Sequence, residues 1–386
     1  MANVKLAEIA TVITKGTTPT SIGFDFVDDG INFVKIESIT EDGCFIPEKF
    51  AHITEECHQK LSRSILQEND VLFSIAGAIG RTAIVNENIL PANTNQALAI
   101  IRIPDGIVNY FYLKYVLESP IITQQFEKKK QGVAQLNISL KDIGDFNIPL
   151  PSLVEQQEIV AKLTHTDTLI SLRKQQIAKL DELVKARFVE MFGDERLPRN
   201  TVEQLCTQIV DCPHTTPKYE GVLCNPAIRT SEIKKGYITW DTMRYVSDDE
   251  YEERTARLKP EAGDIVYGRE GTFGNAAILP VGHKFCLGQR VMLLRPDYTK
   301  CTSEYMLHAV ISDSVFRQAL EKNNASTVAH VNVSDVKKFV IPLPLIKYQK
   351  EFAAFVAQTD KQKLTIQQSL DKLELMKKAL MQKYFG

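Results

Sequence analysis

The segment Gly268-Arg269-Glu270-Gly271-Thr272-Phe273-Gly274 is glycine-rich, and phosphate binding is the chemistry such a segment first raises. It lacks the Gly-Lys-Ser/Thr ending of a phosphate loop and does not follow Gly-x-Gly-x-x-Gly, so turn glycines between two strands account for it better. Cys212-Pro213-His214, with Cys206 upstream, and Cys57-His58 place cysteine beside histidine, but without the paired spacing of a zinc site. No metal is expected. Neither a Gly-x-Ser-x-Gly elbow nor a His-Glu-x-x-His helix occurs. Asn225-Pro226-Ala227-Ile228 comes nearest to the Asn/Asp-Pro-Pro-aromatic signature of amino methylation, and reads as a turn before a strand. Carboxylates are abundant, yet no pair stands out. The expectation is a chain with no catalytic residues.

The elements that carry these residues are written twice. Residues 142–193 match residues 335–386 at a constant offset, with 18 of 52 positions identical. Among them are Pro149-Leu150-Pro151 with Pro342-Leu343-Pro344, Gln156 with Gln349, Asp167 with Asp360, and Phe192-Gly193 with Phe385-Gly386. Upstream, Asp70-Val71-Leu72-Phe73 aligns with Asp264-Ile265-Val266-Tyr267, and Gln96 and Arg102 align with Gln289 and Arg295. Thr17-Thr18-Pro19 recurs as Thr215-Thr216-Pro217. Such self-similarity makes the protein one unit used twice. Between the anchors the copies diverge. Two sites of one kind with different specificities would produce this pattern, and so would drift after duplication.

At 386 residues there is room for two or three domains with cores of their own. No apolar run approaches a membrane span, and the start Met1-Ala2-Asn3-Val4-Lys5 lacks a secretory apolar stretch, so a cytoplasmic protein with no membrane partner is expected. Seven cysteines without a Cys-x-x-Cys pair read as reduced thiols. The net charge of −2 argues against a general nucleic-acid binder; residues 1–193 carry 19 Lys and Arg against 24 Asp and Glu, and residues 194–386 carry 27 against 24. Any DNA contact must then come from a local patch, or from a complex in which another chain supplies charge.

Each copy reads as a mixed α/β domain followed by one long helix. Strands are expected at 32–37, 71–75, 82–85 and 97–103, and a helix at 110–130 interrupted near Pro120, with its counterpart at 303–322. Ser152-Leu153-Val154-Glu155 after Pro151 is a capping box that starts the closing helix. From there Leu163, Ile170, Ile177, Val184 and Met191 recur every seven residues, the spacing of a coiled-coil seam. Nearly 40 residues would make a rod of roughly 60 Å. In the second copy the equivalent stripe reads Val356, Lys363, Leu370, Lys377 and Tyr384, and apolar weight shifts to Ile366, Leu373 and Leu380. Packing of the two helices on each other is favoured over each folding onto its own domain, because a long apolar seam needs a partner. The expected interface comprises Leu163, Ile170, Ile177, Leu180, Val184, Ile366, Leu370, Leu373 and Leu380.

With these residues in place, the chain resembles the specificity subunit of type I restriction-modification enzymes. Residues 148–159, Ile-Pro-Leu-Pro-Ser-Leu-Val-Glu-Gln-Gln-Glu-Ile, look like that family's boundary between a target-recognition domain and its helix. The likeness covers the whole chain. The second copy departs from it, with Leu345 for Ser152, Tyr348 for Glu155 and Phe352 for Ile159. The resemblance implies recognition domains at 1–150 and 194–343, helices at 151–193 and 344–386, an antiparallel intramolecular coiled coil and a pseudo-two-fold axis. It also implies a bipartite double-stranded DNA target with half-sites about one helical turn, roughly 34 Å, apart. The implied partners are two methyltransferase subunits and restriction/translocase subunits. This chain would bind no cofactor, S-adenosylmethionine, ATP and Mg belonging to the partners.

If the domains read DNA, base edges call for Arg or Lys at guanine and Asn or Gln at adenine. Candidates near the glycine-rich turns are Lys35, Ser74, Arg81, Asn95 and Gln96, then Arg229, Arg269, Asn275, Gln289 and Arg290. Lys128-Lys129-Lys130 and Lys322, followed by Asn323-Asn324, are candidates for phosphate. Two other readings compete. One is a coiled-coil protein scaffold that never meets DNA, and the other is the specificity subunit of a methyltransferase-only or type IIB-like system.

Overall fold

The computed structural model describes residues 3–127, 137–221, 224–271, 274–322 and 330–386, with the Lys322 side chain outside that set. The chain forms two compact units, Met1–Arg173 with Ser369–Gly386, and Lys174–Gln368. Both long helices are divided between them. The units therefore do not coincide with the two sequence copies.

In the first unit the strands are β1 (Asn3–Lys5), β2 (Val12–Lys15), β3 (Ile31–Val34), β4 (Ala51–Ile53), β5 (Val71–Ser74), β6 (Thr82–Ile84), β7 (Ala92–Thr94), β8 (Leu98–Arg102) and β9 (Asn147–Pro149). The helices are α1 (Leu6–Ile9), α2 (Glu55–Lys60), α3 (Tyr110–Leu117), α4 (Pro120–Glu127), α5 (Leu140–Gly144) and the start of α6 (Leu153–Phe192). A four-stranded sheet of order β2-β8-β5-β6 is antiparallel throughout. Beside it lies the sheet β4-β3-β7, in which β3 and β7 run parallel. β5 is buried at every position because both faces of the strand are covered, and it is apolar up to Ser74 at its end. Val71 and Phe73 join Tyr112, Ile148 and Leu163 on the helical side, while Leu72 joins Val34, Ala92 and Ile100 on the other.

The second unit repeats this plan with β10 (Arg199–Thr201), β11 (Cys206–Asp211), β12 (Tyr219–Glu220), β13 (Asn225–Ile228), β14 (Arg244–Val246), β15 (Ile265–Gly268), β16 (Ala276–Ile278), β17 (Cys286–Leu287), β18 (Val291–Pro296) and β19 (Val340–Pro342). Its helices are α7 (Asp248–Arg254), α8 (Ser303–Val310), α9 (Asp313–Lys322), α10 (Val333–Lys337) and the start of α11 (Ile346–Phe385). The main sheet is β11-β18-β15-β16, facing β12-β14-β13-β17. Asn225-Pro226-Ala227-Ile228 is strand β13 itself, not a turn before one. Residues 36 and 37, expected to continue a strand, fall in a 3-10 turn over Ile36–Ser38, in which the Ser38 hydroxyl donates to the Lys49 carbonyl.

The long helices meet inside each unit. Ser152 and Glu155 make the reciprocal capping contacts at the start of α6: the Ser152 amide donates to Glu155 Oε2 at 3.0 Å and the Glu155 amide to Ser152 Oγ at 3.4 Å. In the first unit, Ile159 and Leu163 of α6 share a core with Met381 and Phe385 of α11. In the second, Val184, Phe188 and Phe192 of α6 share one with Phe352 and Val356. The pairing is antiparallel, since Asp167 meets Lys377 at 2.6 Å and, two heptads on in α6 and two back in α11, Asp181 meets Lys363 at 2.9 Å. The lysines that interrupt the apolar stripe of α11 thus face carboxylates of α6. Of the remaining seam residues, Ile170 and Leu370 are buried and Ile177, Leu180, Ile366, Leu373 and Leu380 are half-buried.

Candidate nucleic-acid interface

Antiparallel pairing brings four chain segments to one end of each main sheet. In the second unit these are the end of β11, the end of β15, the approach to β16 and the approach to β18, carrying Asp211, Arg269, Asn275 and Gln289-Arg290. The corresponding end of the first unit carries Lys15-Gly16, Ser74, Arg81 and Asn95-Gln96. Packing there is close: a Cβ on Gly16 would sit 1.7 Å from the Thr94 carbonyl oxygen.

Several of these side chains hold the frame. Ser74 is fully buried, donating to the Ala78 carbonyl at 2.5 Å and accepting from the Arg81 amide at 2.7 Å, so its hydroxyl is spent on shaping the turn. Arg81 spends its guanidinium on the carbonyls of Ile36 and Ile39, at 3.1 and 2.7 Å. Arg229 grips the buried Glu232 through Nε and a terminal nitrogen, at 3.0 and 2.6 Å, and also donates to the Thr242 carbonyl. Withdrawing either arginine for a base would strand buried acceptors. The structure thus engages these three, expected at base edges, in the frame of the sheet ends.

Others stay nearer the surface. Lys35 is half-buried, its ammonium 4.3 Å from the centre of the Phe26 ring. Asn95 is half-buried, and its side chain accepts from the Ala97 amide. Asn275 donates to the Ile233 carbonyl at 3.3 Å. Gln96 accepts from the Thr18 hydroxyl at 2.6 Å, and Gln289 donates to Thr216 Oγ at 3.0 Å, so the same Thr–Gln clasp closes both sheets. Lys128, Lys129 and Lys130 lie outside the described residues, as do Asn323 and Asn324; Lys322 is the last residue of α9.

Only Arg269, Gln289 and Arg290 of the base-contact candidates line the cleft of about 590 Å³ at this end of the second unit. Asp211 pairs with Arg269 at 2.9 Å and with His214 at 3.4 Å. Glu270 pairs with Arg290 at 2.9 Å and with His330 at 3.3 Å. Each carboxylate is flanked by one arginine and one histidine. Arg269 is only 5% exposed and its Nε has no partner, whereas the Arg290 side chain is 60% exposed. Sequence reasoning missed Asp211 and His330, which lay in no motif, and Glu270, which was read only as part of the glycine-rich segment. Proximity of His214 to Cys212 was a signal read only for metal. Among the described residues no group of three or more His, Cys, Asp or Glu is placed to hold a metal ion, and no helix is long and apolar enough to cross a membrane.

Comparison with known proteins bears on this arrangement. A family model described as the type I restriction modification DNA specificity domain matches residues 1–182 and 222–375. The EcoBI specificity subunit of Escherichia coli is 30% identical over 177 residues, 44% of this chain and 36% of that one. The MjaIX specificity subunit of Methanocaldococcus jannaschii is 21% identical over 354 residues, 86% of this chain and 80% of that one. A solved chain from work on complex assembly and conformational transition of the type I R-M system superposes with a TM-score of 0.59 at 19% identity, covering 100% of this chain and 97% of that one. The S subunit from M. genitalium gives 0.53 at 11% identity, covering 100% and 96%. The last two show shared fold.

Proposed function

The chain belongs to the type I restriction-modification DNA specificity family, and from that premise we propose that each unit presents the end of its main sheet to one half of a bipartite DNA target. The observation that carries this is the repeated frame with unlike contents. Both sheet ends are closed by the same Thr–Gln clasp, and both sheets carry the same buried ion pair, Arg102 with Asp70 and Arg295 with Asp264. The residues around that frame differ between copies. Identical mounts with different side chains suit two readers of different sequences.

On this reading the chain supplies sequence choice and geometry, and no bond-making step. Two methyltransferase subunits bind the repeated surface, and restriction/translocase subunits join them; S-adenosylmethionine, ATP and Mg are held by those partners. A target split into two half-sites about one helical turn apart suits one chain that carries two readers. With a net charge of only −2, much of the phosphate attraction falls to the partner subunits.

Binding of the assembled chain and methyltransferase to duplexes with and without the bipartite sequence, measured across a salt series, tests the proposal. Affinity that falls as salt rises, together with preference for one split sequence, is expected. A complex that assembles but shows no salt-dependent DNA binding would establish a protein scaffold instead.

A further inference from the structure

We infer that the cleft of the second unit reads a guanine in its half-site, with Arg290 as the reading side chain and Glu270 as the residue that positions it. The inference rests on the proposed function and narrows it to one base.

Arg290 adopts φ of 68°, a left-handed backbone that a long side chain seldom takes. Such strain persists where the surrounding structure imposes it, and it clusters at binding sites. Here the Arg290 carbonyl accepts from the Arg269 amide at 3.0 Å, fixing the backbone from which the guanidinium projects. Glu270 meets Arg290 Nε at 2.9 Å, while His330 contacts its other oxygen at 3.3 Å. The carboxylate is thereby held from two sides, and it restrains a guanidinium that remains 60% exposed. A planar fork held in this way matches O6 and N7 of guanine.

Charge decides between a base and a phosphate. Arg269 and Arg290 are each beside a carboxylate, Asp211 and Glu270. A phosphate entering the cleft would meet both anions. A neutral base edge would not be repelled, so the cleft is built to carry sequence information rather than affinity. In the first unit, the frame shared by the two sheets puts Ile75 and Ala76 where Arg269 and Glu270 stand, so this ionic arrangement belongs to the second unit alone.

The test uses the complex with its methyltransferase, a randomised duplex library and sequencing of the methylated products. Arg290→Gly removes the guanidinium and relieves the left-handed backbone, so the fold is retained. It should relax the preference for guanine at one position of one half-site by roughly 5- to 150-fold, the span of a single bidentate contact. The other half-site serves as an internal control and should keep its bases. Arg290→Lys retains the charge and loses the fork, and should relax the same position; Glu270→Gln should do so to a smaller degree. Unchanged guanine preference in Arg290→Gly or Arg290→Lys overturns the inference. So does a uniform loss across all sequences with a salt slope reduced by about 1, the mark of a phosphate contact. A wild-type complex that selects no split sequence refutes the proposed function itself, which separates the two failures.

Discussion

Arg102 and Arg295 each fork onto a buried carboxylate, Asp70 and Asp264, through two contacts of 2.7 to 2.8 Å. Both pairs occupy equivalent positions in the copies, and the acids are almost wholly removed from water. Removing the arginine leaves a buried charge uncompensated, so Arg102→Ala or Arg295→Ala should cost about 3–5 kcal/mol in urea unfolding. A loss near that of an exposed pair would show that the carboxylate finds other partners. His308 offers a second check. It packs edge-on against Phe352 with ring centroids 5.1 Å apart, and burial pushes its imidazole down to about 4. The folded chain holds it neutral while the unfolded chain protonates it near 6.5. Its contribution is therefore full above about 6.5 and is lost as pH falls toward about 4. Between pH 7 and pH 5 the wild type should lose about 2 kcal/mol more than His308→Tyr, the residue the first copy carries as Tyr115. Parallel pH curves for the two proteins would contradict this.

The helices show what a sequence discloses about elements. The capping contacts of Ser152 and Glu155 and the heptad from Leu163 onward were legible, because a helix start and a seven-residue repeat are local patterns. The strands at β5, β6 and β8 were legible from their apolar runs. Burial of Phe385 against Tyr112 at 5.6 Å, and of Phe192 against Tyr305 at 5.1 Å, was not, since it depends on which distant helix end closes each core. Lys363 and Lys377 looked like interruptions because their partners, Asp181 and Asp167, lie on the other helix. The base-contact candidates fared unevenly for a related reason. Residue type marks what a side chain is able to read, while burial, as at Ser74, decides whether it is presented. Phe385→Ala should destabilise the first unit by about 3–5 kcal/mol, read by thermal unfolding with hydrogen exchange locating the loss; equal loss of protection in both units would refute that localisation. Asp167→Lys should weaken the helix pair and Lys377→Asp added to it should restore part of the loss, as a double-mutant cycle would show.

At the scale of the molecule, the proposed function makes the helix pair a spacer between two readers. Extending the register that pairs Asp167 with Lys377 and Asp181 with Lys363 sets Asp371 of α11 opposite Arg173 of α6. Inserting four residues after each should lengthen the gap between half-sites while leaving the bases of each half-site unchanged, once circular dichroism shows the helices intact. Altered half-site bases would count against the spacer. The near-neutral cleft and the net charge of −2 fit a subunit that chooses sequence within a larger assembly. The most direct measurement is sequencing of methylated adenines in host DNA with this chain present and with its gene deleted. A split motif that is modified only when the chain is present is the predicted result. Persistence of the same modified motif after deletion would contradict the claim that this chain chooses the DNA sequence.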